Sequence, residues 1–176
     1  MQNTLKSPAA FAGLGLHGGM AVRLVVRPAP ADHGIWFRRT DIADRDPLIA
    51  ARWDSVTPSR LCTVIENGDG VSVSTIEHLM AALAGMAINN ALIEIDGPEV
   101  PILDGSAAPF IEGFMAAGIE EQDLPVRAVR VRVPVEVRDG EAVARKEPAQ
   151  TVEIGVPAAL QDAGMRGQEP RPNNAN

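Results

Sequence analysis

The sequence predicts an α+β fold, in which a small and mostly antiparallel sheet carries two helices on one face. Two segments repeat apolar residues at helical spacing, and five or six others are short, apolar and bounded by turn residues. The composition agrees, because 45% of the residues are hydrophobic and 22% are charged, as in soluble globular proteins. The 176 residues suffice for one domain and part of a second.

The first strands are indicated by apolar alternation beside a glycine-rich turn. Residues 11–19 hold four glycines and predict that turn. Residues 20–27 then place two valines and a leucine on one face of a strand, which two prolines end. Residues 35–40 are rich in β-favouring side chains, so we expect them to be the hairpin partner of this strand.

A second hairpin and a further strand follow. Residues 61–66 and 71–73 flank an Asn-Gly-Asp-Gly turn at 67–70, which predicts a tight hairpin. Residues 90–95 place Ala91, Ile93 and Ile95 on one face and predict a strand. After a turn, residues 100–103 form the next short apolar segment.

The clearest helix is predicted from 75 to about 84. Its apolar residues recur at helical spacing, and Gly85 stands where a left-handed C-terminal cap is expected. Ser74 and Glu77 match a capping box, in which each side chain accepts a backbone N–H of the first turn. A second helix is predicted after residues 104–106, with a proline in its first turn and Gly118 at its end.

The pattern divides the chain into three parts. Residues 1–123 are predicted to form the first α+β domain, and residues 124–156 the first strands of an incomplete second domain. Within the latter, valines alternate over 129–137 and a weaker strand is predicted at 151–156. Residues 157–176 are polar and rich in proline and asparagine, and are predicted to be a disordered tail.

Charge and cysteine content exclude several kinds of protein. Arginines at 38–39 and between 130 and 138 suggest a nucleic-acid-binding domain as an alternative. The net charge of −7 argues against it and makes it the weakest of the alternatives. The single cysteine, Cys62, excludes an intramolecular disulfide or a multi-cysteine zinc site. No apolar segment is long enough to cross a membrane, so we expect a cytoplasmic protein.

Glu77 and His78 are the residues with the clearest chemical potential. On a helical wheel His78 points almost opposite the core, so it is either a solvated surface residue or a ligand presented to a pocket. Glu77 is either the capping-box partner or a general base. An isolated Glu-His pair is common, and the spacing does not decide between these interpretations.

Six segments, taken together and in order, resemble a known family. They are Gly-Leu-Gly-Leu-His-Gly-Gly at 13–19, Val-Arg-Pro-Ala-Pro at 26–30, Phe-Arg-Arg-Thr-Asp at 37–41, Leu-Cys-Thr at 61–63, Ser-Thr-Ile-Glu-His-Leu-Met-Ala-Ala-Leu at 74–83, and Pro-Ile-Leu-Asp-Gly-Ser-Ala-Ala-Pro-Phe at 101–110. The family is that of UDP-3-O-acyl-N-acetylglucosamine deacetylase, the zinc amidase of lipid A biosynthesis. The resemblance extends from residue 1 to about residue 146.

The resemblance implies two similar domains, each a two-layer sandwich of the ribosomal protein S5 domain 2-like type, with the active site between their helix layers. It implies that the chain binds Zn²⁺ and hydrolyses the N-acetyl group of UDP-3-O-acyl-N-acetylglucosamine. His78 is then the zinc ligand of the first domain. Glu77 is the general base that takes a proton from the attacking water.

The resemblance also points to residues lining the active site. Cys62 and Thr63 match positions in the family's cleft, although for Cys62 the role of a small apolar residue of a strand is favoured over a reactive role, because the family uses no thiol nucleophile. His17 and Asp104 match positions that the family keeps near the site. As structural residues, His17 would belong to a turn and Asp104 would stabilise a helix N-terminus by its charge.

The histidine count predicts that the zinc site is incomplete in this chain. The family takes its other two zinc ligands from a His-Lys-x-x-x-Asp segment of the second domain, and a further catalytic histidine from later still, whereas the last of the three histidines here is His78. We therefore expect a truncated or split deacetylase with little activity alone. The alternative is a catalytically silent half-enzyme or binding module that needs a partner chain, since the valines of 129–137 would otherwise be an exposed strand.

Overall fold

A computed structural model describes residues 1–149 of the chain. These residues belong to two compact units, Met1–Arg127 and a second unit that begins at Ala128. The first unit contains strands β1 (Gln2–Leu5), β2 (Ala9–Leu14), β3 (Ala21–Pro28), β4 (Ile35–Arg39), β5 (Leu48–Ala50), β6 (Val56–Thr57), β7 (Val64–Glu66), β8 (Ser72–Ser74), β9 (Ala91–Ile95) and β10 (Ile119–Gln122), with helices α1 (Glu77–Gly85) and α2 (Ala108–Ala117). A short 3-10 helix covers Trp53–Ser55.

The main sheet has five strands in the order β2-β3-β9-β4-β5, with only the β4–β9 pair parallel. This confirms the α+β class. The expected hairpin between β3 and β4 was wrong, because β9 lies between them and pairs with both. The alternating burial of β9 suits the centre of a sheet, and the loop over residues 29–34 is long enough to pass its end.

Strand β2 was missed by the sequence analysis, which predicted a turn over 11–19. Its register with β3 places Phe11 opposite Leu24. The Phe11 ring packs edge to face against Phe110 at 4.9 Å and Phe114 at 5.9 Å between ring centroids. This aromatic packing and the pairing with β3 override the weak strand preference of the glycines, and the turn itself begins only at Gly15.

Both helices pack on the face of the main sheet that carries its buried residues. From β3 and β9 this face contributes alternating aliphatic side chains, and from α2 two phenylalanines. The fully buried residues shared by sheet and helices in one cluster include Leu24, Val26, Phe37, Leu79, Leu83, Ile93, Ile95, Phe110 and Phe114. Burial of an aliphatic or aromatic side chain contributes about 1.5–3 kcal/mol each, so this layer holds α1 in place.

The ends of the two helices were predicted unequally well. Helix α2 has Pro109 in its first turn and ends at Gly118, whose φ of 76° is left-handed, as expected. Helix α1 extends to Gly85, and the left-handed residue after it is Ala87, with φ 52°, so the cap predicted at Gly85 was wrong. No helix in residues 1–149 is long and apolar enough to cross a membrane.

Two small sheets complete the first unit. Strands β7 and β8 form the predicted hairpin, and β6 pairs with β7 on its other side. The first strand begins at Val64, so residues 61–63 are loop and not strand. Strand β1 pairs with β10, and residues 100–103 form only a single bridge, between Gly15 and Pro101.

The second unit contains one described hairpin, with β11 at Val135–Asp139 and β12 at Ala142–Lys146. Of the valine alternation over 129–137, only the part from Val135 forms a strand, so the longer strand was wrong. The residues of β11 and β12 are all exposed. Val129, Val131 and Val133 belong to no strand of the described residues. The strand predicted at 151–156 and the tail predicted at 157–176 lie outside the described residues.

Asn90 joins several segments at one end of the first unit. Its side-chain amide donates to the amide oxygens of Gln2 and Gln122, both at 2.8 Å, and its own oxygen accepts the Gly34 N–H at 2.8 Å. Asn90 is 1% exposed. These bonds therefore satisfy polar groups that water does not reach.

Replacing Asn90 by alanine is expected to lower the free energy of unfolding by about 2–4 kcal/mol, because each buried group left unpaired costs about 1–3 kcal/mol. Asn89→Ala is the matched control. The Asn89 side chain accepts one bond, from the Asn3 N–H, and is half-buried. Urea unfolding of both variants tests this, and equal losses would contradict the role given to Asn90.

Candidate functional site

Glu77 and His78 form the first turn of α1, which begins without a side-chain cap. The capping box predicted between Ser74 and Glu77 was wrong. The Ser74 hydroxyl donates instead to the Pro98 carbonyl at 3.2 Å. Thr75, with φ 58°, turns the chain sharply between Ser74 and the helix, so the serine does not cap the first turn.

The Glu77 carboxylate is held from one side only. Its Oε1 accepts the backbone N–H of Thr63 in a short hydrogen bond. Its Oε2 is buried and has no hydrogen-bond partner in the described part of the chain. A buried polar atom without a partner requires an explanation such as a ligand, since leaving it unpaired costs about 1–3 kcal/mol. Glu77 thus has one anchored oxygen and one available oxygen.

His78 also presents an unsatisfied atom. The residue is half-buried, and within residues 1–149 its buried Nδ1 has no hydrogen-bond partner. His78 is therefore not a fully buried core residue, as expected. Its ring is not fully solvated either, because Nδ1 is buried. Oε2 of Glu77 and Nδ1 of His78 are therefore both buried and unpaired among the described residues, and both belong to the first turn of α1.

Asp104 lies in the loop before α2 and close enough to His78 to interact electrostatically. Hydrogen bonds from the Ser106 N–H at 2.8 Å and the Ser106 hydroxyl at 2.9 Å hold the pKa of Asp104 below its usual value of 3.8. The His78 imidazole lowers it further by a smaller amount.

Cys62 and Thr63 line a cavity of about 410 Å³ with residues 56–59. The Cys62 thiol is half-buried, and its Sγ lies 3.6 Å from the Ser59 hydroxyl. Thr63 lines this cavity and also donates its N–H to the Glu77 carboxylate, so one residue connects the cavity lining to α1. Cys62 belongs to the loop before β7, so its interpretation as a strand residue was wrong.

His17 is an exposed residue of the turn after β2, and a buried carboxylate holds its backbone. Its N–H donates to Glu99 at 2.9 Å, as the neighbouring Gly18 N–H does at 2.8 Å. Glu99 also accepts the Thr75 hydroxyl at 2.9 Å. Glu99 was not singled out from the sequence, where the only signal is a charged residue between a proline and an apolar segment.

The pKa of Glu99 gives a prediction for acid stability. Burial raises this pKa, but the N–H groups of His17 and Gly18 and the Thr75 hydroxyl together outweigh burial and hold it below 4.5. Because the folded-state pKa is the lower one, the ionised carboxylate stabilises the fold above about pH 4.5 and loses this effect as pH falls through the folded-state value.

We therefore expect Glu99→Gln to be less stable than the unmodified chain at about pH 6, and the difference to shrink by about pH 3. Urea unfolding at the two pH values measures it. A difference that stays constant across this range would show that the charge of Glu99 does not stabilise the fold.

Gly15 lies against Glu99 and has no room for a side chain. A Cβ at this position would collide with Oε2 of Glu99 and lie 2.9 Å from its Cδ. Gly15→Ala should therefore cost about 1–3 kcal/mol of unfolding free energy. Gly68→Ala, where a Cβ meets nothing within 4 Å, should change it by less than about 1 kcal/mol. Thermal unfolding compares the two, and equal effects would contradict a rigid Glu99.

The possible metal ligands that the structure describes near Glu77 and His78 are too few to hold a zinc ion by themselves. Structural and catalytic zinc sites use three or four protein ligands. No three His, Cys, Asp or Glu side chains gather into such a group within residues 1–149. The unpaired atoms of Glu77 and His78 fit one imidazole ligand with a carboxylate base beside it, at a site whose other ligands come from outside the described residues.

A family model described as UDP-3-O-acyl N-acetylglycosamine deacetylase matches residues 2–172. Among curated relatives, a UDP-3-O-acyl-N-acetylglucosamine deacetylase of Phenylobacterium zucineum is 50% identical over 153 residues, which are 87% of this chain and 52% of the relative. Proteins of the same name from Photobacterium profundum and Actinobacillus pleuropneumoniae are 48% and 46% identical, over 84% of this chain and 48% of each relative. The chain spans about half the length of the curated relatives it matches.

Proposed function

The chain belongs to the UDP-3-O-acyl N-acetylglycosamine deacetylase family, and on that premise we propose that it supplies the general base and one zinc ligand of a deacetylase. The substrate is UDP-3-O-acyl-N-acetylglucosamine, as the names of the relatives suggest. The observation that carries the proposal is the pair of unpaired, buried atoms on the first turn of α1, Oε2 of Glu77 and Nδ1 of His78.

Glu77 acts as the general base. The Thr63 N–H holds one carboxylate oxygen, which leaves the other free to accept a proton from the water that attacks the acetamide carbonyl. The hydroxyl of that water adds to the acetyl carbon, the C–N bond breaks, and the proton is delivered to the departing amine nitrogen. Acetate and a free amino sugar are the products.

His78 would hold the zinc ion as the ligand that this chain contributes, and the Asp104 carboxylate interacts electrostatically with its ring. Zinc, when bound, supplies Lewis-acid activation of water and of the carbonyl group. The remaining ligands come from outside residues 1–149, either from a further segment or from a partner chain. His17, Cys62 and Thr63 line the substrate side of the site.

We extend the proposal to the domain organisation. The two helices on one face of a five-stranded sheet support a ribosomal protein S5 domain 2-like sandwich over residues 1–123. Residues 124–156 then begin a second domain, and the β11–β12 hairpin supports its first strands. Because the proposed substrate carries UDP, the reaction belongs in the cytoplasm, where nucleotide-linked sugars are made.

The test is a hybrid enzyme, in which residues 1–149 of this chain replace the matching part of the Phenylobacterium zucineum deacetylase. We expect the hybrid enzyme to deacetylate UDP-3-O-acyl-N-acetylglucosamine within about tenfold of the parent, as measured by release of acetate. A folded hybrid enzyme that binds zinc but does not release acetate would contradict the proposed function. Activity of the 176-residue chain alone, without any partner, would contradict the need for outside ligands.

A further inference from the structure

Glu99 joins the turn that carries His17 to the start of the helix that carries His78. One of its carboxylate oxygens accepts both the His17 N–H and the Thr75 hydroxyl, and the other accepts the Gly18 N–H. Glu99 is only 6% exposed. A single buried side chain therefore connects two segments that are far apart in the sequence and that both contribute to the proposed site.

The backbone beside Glu99 is fixed as well. The Ser74 N–H donates to the Pro98 carbonyl at 2.9 Å, and the Val100 N–H donates to the Ser74 carbonyl at 3.1 Å. Both neighbours of Glu99, Pro98 and Val100, are thus hydrogen-bonded to Ser74, the residue before Thr75. Its carboxylate has little freedom to follow a displaced turn or helix.

Only a carboxylate can make all of these bonds. An amide offers one acceptor oxygen and one donor nitrogen, so a glutamine here would direct an N–H at another donor. Burying a charge is unfavourable unless hydrogen bonds compensate for it, and no lysine or arginine pairs with Glu99 within residues 1–149. The buried Glu99 carboxylate therefore requires its three donors, the His17 and Gly18 N–H groups and the Thr75 hydroxyl, to stay in one arrangement.

The backbone of Thr75 is the second sign of a constrained site. A β-branched residue at φ 58° is an outlier, and such residues persist only where their surroundings determine them. Thr75 is 3% exposed, and its hydroxyl bonds to Glu99. It stands two residues before Glu77, so its conformation determines where the first turn of α1 directs its side chains.

We propose that Glu99 is a positioning residue for the deacetylation proposed above, on which this inference rests. By holding Thr75 and the His17 turn at the same time, it fixes the His17 and His78 side chains relative to each other. Glu99 touches neither the substrate nor the metal and acts only through these segments. A residue that merely stabilised the fold would affect all parts of the first unit alike.

The three histidines of the chain allow a direct test by NMR of the 176-residue protein with isotope-labelled histidine. His33, in the loop before β4, is the internal control. Four variants are compared: Glu99→Gln, Thr75→Val, Thr75→Ser, and Glu120→Gln as an exposed control. Thr75→Val removes only the hydroxyl and keeps the shape, and it also serves if Glu99→Gln does not fold.

We expect Glu99→Gln and Thr75→Val to shift the ring signals of His17 and His78 and to leave those of His33 unchanged. Thr75→Ser should restore the original signals, and Glu120→Gln should change none. Unchanged His17 and His78 signals in folded variants would overturn the proposal, as would equal shifts of all three histidines or the failure of both variants to fold. The signals are read without substrate, so this pattern, together with a folded, zinc-bound hybrid enzyme that releases no acetate, would contradict the proposed function while leaving the positioning role intact.

Discussion

Glu77→Gln in the hybrid enzyme is expected to reduce the rate of deacetylation by about 10²–10⁴-fold, the usual contribution of a general base. Glutamine keeps the shape of the side chain and an oxygen that can accept the Thr63 N–H. It removes the second carboxylate oxygen, which is buried and unpaired, as a proton acceptor. Zinc content should be unchanged, because the variant retains His78.

Acetate release and zinc content are measured on the same preparation. Glu66→Gln is the matched control, since Glu66 is an exposed carboxylate of β7 and should have no effect on rate. Retention of most of the activity in Glu77→Gln would rule out a general-base role. Loss of zinc together with activity would instead make Glu77 a ligand.

His78→Ala is expected to abolish both zinc binding and turnover of the hybrid enzyme. A catalytic zinc site has three protein ligands, and this variant removes one of them. No other described group of His, Cys, Asp or Glu side chains could replace the half-buried His78 ring as a ligand. The rate should therefore fall to the background. Added zinc should restore little of it.

His33→Ala is the control for this variant, because His33 is also half-buried and belongs to the first unit. Its ring Nδ1 lies 3.0 Å from the Gly34 carbonyl oxygen, whereas Nδ1 of His78 has no partner among residues 1–149. His33→Ala should retain zinc and activity. Equal zinc contents in the two variants would remove His78 from the metal site.

Local patterns in the sequence were enough to predict several elements. Helix α2 is marked by Pro109 and by Gly118, which both act within one turn of the chain. The β7–β8 hairpin follows from its Asn-Gly-Asp-Gly turn in the same way. The position of Glu77 and His78 on one helical turn was also predictable, because the apolar spacing of α1 defines it.

Contacts between distant segments were not predictable. The capping box was the natural local interpretation of Ser74 and Glu77, but Thr63 takes the Glu77 carboxylate from 14 residues away. Glu99 holds Thr75 in its left-handed conformation from 24 residues away. The insertion of β9 between β3 and β4 depends on pairing across the whole first unit, which no local window contains.

Zinc titration of the purified 176-residue chain, with and without His78→Ala, tests most directly whether this chain holds half of a zinc site. The account predicts weak binding, as expected of a site with too few ligands, and its loss in His78→Ala. Tight binding of one zinc ion per chain that survives His78→Ala would contradict it, because the metal would then be held by residues other than those on the first turn of α1.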